Sequence, residues 1–237
     1  MNKIATIKAT LQAAVNHDRN KSNAVFFKTG VGHYAEHDVF IGVSVPIIRK
    51  IAKEHADLSF KELQKLIASK INEERLLALI ILVTQYQRGD KIANEEVYNF
   101  YLNNMQHVSN WNLVDSSAHL ILGAHLYKKN KNLLLELAKS EILWQRRIAI
   151  VATWYFIRND DLAWTFKIAK ILLKDDQDLI HKAVGWMLRE AGKRDQEQLI
   201  EFLDQHAATM PRTMLRYAIE KFSAQQRKAY LLYGKKH

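Results

Sequence analysis

Trp111 and Asp115 stand four residues apart, a spacing that puts an indole and a carboxylate on one face of a helix. A carboxylate held there can stabilise positive charge that develops during a reaction, or orient a water molecule. An indole face attracts cations by about 0.5–2 kcal/mol. The same spacing also fits a tryptophan at the core edge beside a solvated aspartate, and spacing alone leaves both readings open. A second stretch, Trp144-Gln145-Arg146-Arg147, sets adjacent guanidinium groups roughly 100° apart around a helix. Arginine's planar donors can grip two phosphate oxygens, or they can pair with an acid of the same chain. In Gly185-Trp186, a glycine inside a helix costs up to about 1 kcal/mol against alanine, which implies close approach of a neighbour. Trp186 either offers its ring to a ligand or fills the core.

Other chemistries find little support. The sequence has ten histidines, yet their spacing makes no metal-ligand pattern. His33 and His37 lack an evident third ligand, and His119 and His125 are six apart, on different faces of a helix. There is no HExxH motif, and the absence of cysteine removes thiolate catalysis, disulfides and Cys-ligated zinc. No metal and no cofactor is therefore expected. Ser116, Ser117 and His119 are too close along one helix to form a Ser–His–Asp relay with Asp115. The segment from Lys28 to Asp38 is irregular and carries two glycines, but no strand precedes it and no Gly-Lys-Ser/Thr follows. It reads as a connection between helices, open to contact with a ligand, and not as a nucleotide-binding loop.

The elements that must position these residues are helical. Only two prolines and eight glycines interrupt a chain of 237 residues that is 48% hydrophobic. Three- and four-residue apolar spacing predicts helices near 3–16, 46–56, 59–69, 74–87, 94–105, 111–127, 131–139, 142–158, 161–173, 177–192, 195–207, 211–221 and 224–232. Before 46 and 211, Ser44 and Thr209 are the expected capping hydroxyls ahead of first-turn prolines. Lys and Arg exceed Asp and Glu by ten, which favours polyanions such as nucleic acid or an anionic membrane, against a merely soluble basic protein. The N-terminal residues lack the apolar run of a signal peptide, and no stretch approaches the ~20 apolar residues of a membrane span. A cytoplasmic location is expected.

Short joints at Arg88-Gly89-Asp90, 128–131, 158–161 and 192–195 force neighbouring helices into antiparallel hairpins. No linker divides the chain, so residues 1–237 are expected to form one domain. Arg75, Trp111, Arg147, Lys182 and Arg212 each open a very apolar helix, at steps of roughly 30–40 residues, the size of a two-helix HEAT-type unit. The expected fold is thus an all-α, HEAT-like repeat solenoid of antiparallel helix pairs with a basic concave surface. Equivalent repeat positions would line that surface, where a row of positive charge suits a duplex backbone. Alternatively these residues lead into buried helices and face solvent.

The three tryptophan-containing stretches together resemble the HEAT-like-repeat DNA alkylation-repair glycosylases of the AlkD type. The likeness lies in Trp111-Asn112-Leu113-Val114-Asp115, in Trp144-Gln145-Arg146-Arg147 and in Ala183 to Glu190, with Gly42 to Lys50 as an N-terminal match. Order and spacing agree across nearly the whole chain. The resemblance implies a C-shaped array that cups double-stranded, alkylated DNA and hydrolyses the N-glycosidic bond of cationic purines such as 3-methyladenine and 7-methylguanine. By matching positions, Asp115 would be the catalytic carboxylate, Trp111 and Trp186 would flank it, and Arg147 would grip the backbone. Arg146, Lys182, Arg75 and Arg212 join Arg147 as candidate DNA-binding residues. The cationic base leaves neutral, so no general acid is needed. A monomer associated with the nucleoid, without membrane contact, completes the expectation. Asp178 and Leu179 replace the paired aromatics of some members, and Arg146-Arg147 is a doubled arginine. The family also contains branches that bind unusual DNA structures without excision, so a non-catalytic DNA-structure binder is the alternative.

Overall fold

Leu, Ile and Ala at helical spacing bury one stripe per helix, and the stripes have only each other to pack against. The structure, a computed structural model, describes residues 3–233. It is all-α: among the described residues there is no strand, only an isolated parallel bridge between Val39 and Ile71. Contacts divide the chain into two compact units, Met1–Ser117 and Ala118–His237. The division falls inside the stretch 111–127, which apolar spacing predicts as one helix.

In the first unit α1 spans Lys3–Ala13, α2 His17–Phe26, α3 Val45–Glu54, α4 Phe60–Ile67, α5 Asn72–Arg88, α6 Lys91–Asn103 and α7 Trp111–Ser117. Helix α5 is the spine, packed by α3, α4, α6 and α7. It is hydrophobic nearly all round, from Leu76 to Val83, as a helix with neighbours on every side must be. Ser59 and Glu62 make a reciprocal capping box that starts α4, and the Asp90 carboxylate caps α6.

The second unit begins with a π-helical turn, His119–Gly123, and α8, Ala124–Leu126. Then follow α9 (Asn132–Ala138), α10 (Leu143–Ile157), α11 (Ala163–Ile171), α12 (Asp178–Gly192), α13 (Gln196–His206), α14 (Arg212–Ala218) and α15 (Ala224–Tyr233). One layer runs α10–α12–α14, and α9, α11 and α13 pack behind it. This is the repeating helix-pair pattern of a helical solenoid. Gly185 explains how α12 and α14 approach: a Cβ there would lie 2.5 Å from the Met214 carbonyl oxygen and 2.5 Å from Tyr217 Cβ. The close neighbour expected at Gly185 is therefore present. Gly123 does the same against α10, where a Cβ would meet the Ala152 carbonyl oxygen at 2.2 Å.

Three local expectations are corrected. Helix α2 lies where apolar spacing gave none; its sequence, HDRNKSNAVF, buries no residue, and the Asn16 side chain starts it by accepting from the Arg19 N–H. Ser44 sits at the N-cap of α3 but its hydroxyl makes no capping bond, so Pro46 and the backbone set that start. At α14 the N-cap is Pro211 itself, and the Thr209 hydroxyl donates back to the His206 carbonyl.

Candidate functional site

Trp111 opens α7 and is held by aromatic rings from the end of α2 and from the connection between α2 and α3. Its indole stacks on Phe27 with centroids 4.9 Å apart and planes 14° apart, and Phe27 stacks in turn on Phe40 at 4.4 Å. Phe26 sits edge-on to Trp111 at 5.5 Å and is 65% exposed, so the pile ends in an aromatic ring open to solvent. Burial of Phe27, Ala35 and Phe40, with Tyr34 packed against them, supports the pile from beneath. Neither Phe26 nor Phe27 stood out in the sequence as a functional residue. Two adjacent aromatic residues after the polar stretch 16–24 are a signal that could have found them.

A buried polar network fixes the same segment. Asp38 and Arg75 form an ion pair in which both side chains are under 10% exposed. The second carboxylate oxygen of Asp38 accepts from Asn72 at 2.9 Å and from Asn110 at 2.7 Å. The oxygen of the Asn110 amide accepts the Trp111 backbone N–H at 2.7 Å. Asn112 donates to Asn72 at 2.7 Å. Asp38 thus orients Asn110, and Asn110 sets the first turn of the helix that carries Trp111 and Asp115. Such a chain locks an active side chain through neighbours that never touch a ligand.

Nearby, the Glu73 carboxylate accepts the backbone N–H groups of Gly42 at 2.8 Å and Ile41 at 3.1 Å. Burial pushes this carboxyl above the usual glutamate range, against the pull of those N–H groups. Gly42 has φ +80° and lies so near Asn16 that a side chain would strike its carbonyl.

Asp115 is half-buried, one turn beyond Trp111 on α7. Ser116 and Ser117 spend their hydroxyls on the carbonyls of Asn112 and Leu113, four residues back. The fully buried Tyr101 phenol lies 3.2 Å from Ser117, and burial pushes its ionisation up.

In the second unit Trp186 is half-buried on α12, and its ring meets Trp154 edge-on at 4.9 Å. Trp154 in turn leans on His119 at 4.5 Å.

The basic candidates separate by environment. Arg75 is corrected: it does not belong to an exposed row of cations but is 6% exposed, with Asp38, Ser109 and the His107 carbonyl around its guanidinium. Arg147 is 5% exposed, and its Nη1 donates to the Leu179 carbonyl at 2.6 Å, tying α10 to the first turn of α12. Arg146 bonds the Asp175 carboxylate at 2.6 Å and the carbonyls of Ser140 and Glu141. Lys182 forms an exposed pair with Asp178 at 2.7 Å. Exposed pairs of this kind contribute about 0–1 kcal/mol. Arg212 is exposed at the start of α14 and gives one N–H to the Leu231 carbonyl. Among the described residues no three His, Asp or Glu side chains gather as metal ligands, and no helix is long and apolar enough to cross a membrane.

A family model described as DNA alkylation repair enzyme matches residues 7–222. No curated protein matches the sequence. Among solved structures, a predicted DNA alkylation repair enzyme from Enterococcus faecalis superposes with a TM-score of 0.67 at 15% identity, over 89% of this chain and 97% of that one. At that identity the likeness carries the fold.

Proposed function

From the premise that the chain belongs to the DNA alkylation repair enzyme family, we propose that it is a monofunctional DNA glycosylase for cationic alkylated purines in duplex DNA. One observation carries the reading: α7 presents a half-buried carboxylate, Asp115, one turn from an indole, Trp111, that a ring pile and a buried polar network hold in place. An alkyl group on N3 or N7 makes the base cationic. As the glycosidic bond lengthens, that charge passes to the deoxyribose, and the base departs neutral. A fixed carboxylate favours the sugar cation and can orient the water that adds to it. The indole face favours the cationic nucleotide before the bond breaks. Trp186, on the second unit, is assigned as an aromatic contact for DNA by its matching position in the family.

Arg147, expected to grip the backbone, instead has a positioning role in this scheme, since its guanidinium is buried and engaged with Leu179. The net charge of +10 supplies the long-range attraction to DNA.

The test is release of free base from methylated duplex DNA under excess enzyme. The proposal expects 7-methylguanine and 3-methyladenine in the supernatant and intact strands until alkali is added. Tight binding with no free base would replace it with the non-catalytic DNA-structure binder.

A further inference from the structure

Helices α14 and α15 enclose an open groove of about 610 Å³ with Arg212, Arg216, Arg227 and Lys228 on its walls. Its one carboxylate, Glu220, is already tied to Arg189 and, at 3.2 Å, to Lys221. Among the described residues Arg216, Arg227 and Lys228 make no ion pair and no side-chain hydrogen bond. Arg212 gives one N–H to the Leu231 carbonyl, which fastens α14 to α15 and leaves its other donors free to serve the groove. Like charges gathered without a counter-charge repel one another, and a bound anion relieves that repulsion. The family model ends at residue 222, so Arg227 and Lys228 lie outside the span that it matches.

We propose that this groove is a dedicated phosphodiester-binding subsite, which grips the backbone of duplex DNA with residues other than those of α7. Arg212 and Arg216 are one turn apart on α14 and face the same way, while Arg227 and Lys228 reach in from α15. Cations spread along two helices suit a line of phosphates better than one small anion. Leu231 and Leu232 supply apolar surface on which a sugar can rest. A lipid surface fits less well, because of the apolar lining residues only Leu232 is a strongly exposed large hydrophobic, at 51%. The inference rests on DNA as partner and does not depend on excision.

The experiment measures affinity of the full chain for undamaged duplex DNA across a salt series, for the wild type and for the combined R216A, R227A and K228A variant. The slope of log K against log salt should flatten by about 2–3, near 0.9 for each phosphate no longer neutralised. The charge-retaining R216K and R227K variant should keep most of the slope, and thermal melting should show both variants folded. An unchanged slope in the alanine variant would overturn the subsite. So would loss of binding to phosphatidylglycerol vesicles with DNA binding intact, since that assigns the groove to a membrane. Wild-type protein with a groove-dependent slope but no base release would keep this inference and end the glycosylase reading. Base release with a groove-independent slope would do the reverse.

Discussion

Trp111 and Trp186 are both half-buried indoles near the start or middle of a helix, yet the chain holds them by different means. Trp111 depends on a segment without regular structure, stacked through Phe27 and Phe40 and pinned by the Asp38–Arg75–Asn110 network. Trp186 depends on helix packing: Gly185 lets α12 meet α14 at backbone distance, and Trp154 abuts the ring from α10. An irregular connection can fix a side chain only when buried polar groups replace the missing backbone ladder. A helix pair needs only the absence of one methyl group.

Four changes would break or sharpen that contrast. The largest effect belongs to Arg75→Met, which strands the Asp38 carboxylate in the interior at a cost of about 3–5 kcal/mol. Thermal melting should fall steeply, and adding Asp38→Leu should recover much of it. A single mutant as stable as the wild type would show that the network does not hold the segment. Next comes Gly185→Ala. Its methyl group must push α12 from α14, and overpacking of this kind costs about 1–3 kcal/mol. A gain in melting temperature, as helix propensity alone would give, would contradict the close packing.

Phe27→Leu keeps an apolar residue but removes the stacked ring beneath Trp111, at about 1 kcal/mol. It should slow single-turnover base release severalfold while melting changes little; equal rates would remove the ring pile from the account. The smallest effect is at Glu73. Its folded-state ionisation is raised by burial, so its contribution to stability is fully present below the usual glutamate value and is lost as pH rises through the raised one. The difference in melting temperature between wild type and Glu73→Gln should therefore shrink from acid toward neutral pH. A constant difference would mean that the carboxyl ionises at its ordinary value.

The contrast also explains what the sequence could reveal. Helical periodicity and the mid-helix glycine at 185 were readable because each is local: a repeat of three or four residues, or one residue out of character. The α2 helix was not, because it buries nothing and so carries no apolar stripe. Arg75 looked like one member of a row of cations. Its partner Asp38 lies 37 positions upstream in the irregular segment, a separation over which no sequence pattern links an acid to a base. Arg146 and Asp175, 29 positions apart, are the same case. Trp111 and Asp115 were visible as a pair one turn apart, but the rings and amides that steady α7 come from segments whose folding the periodicity does not describe. The unit boundary at 117 had no sign either, because helical backbone runs through it: Ala118, Gly123 and Tyr127 are all right-handed helical, as the continuous pattern over 111–127 predicts.

The most direct test compares wild type and Asp115→Asn in single-turnover release of 7-methylguanine, with protein saturating and DNA affinity measured in parallel. Loss of the negative charge should slow release at least about 100-fold, the scale of removing one charge-stabilising group, while affinity stays within a fewfold. Equal release rates from the two proteins would show that the carboxylate on α7 does not do the chemistry.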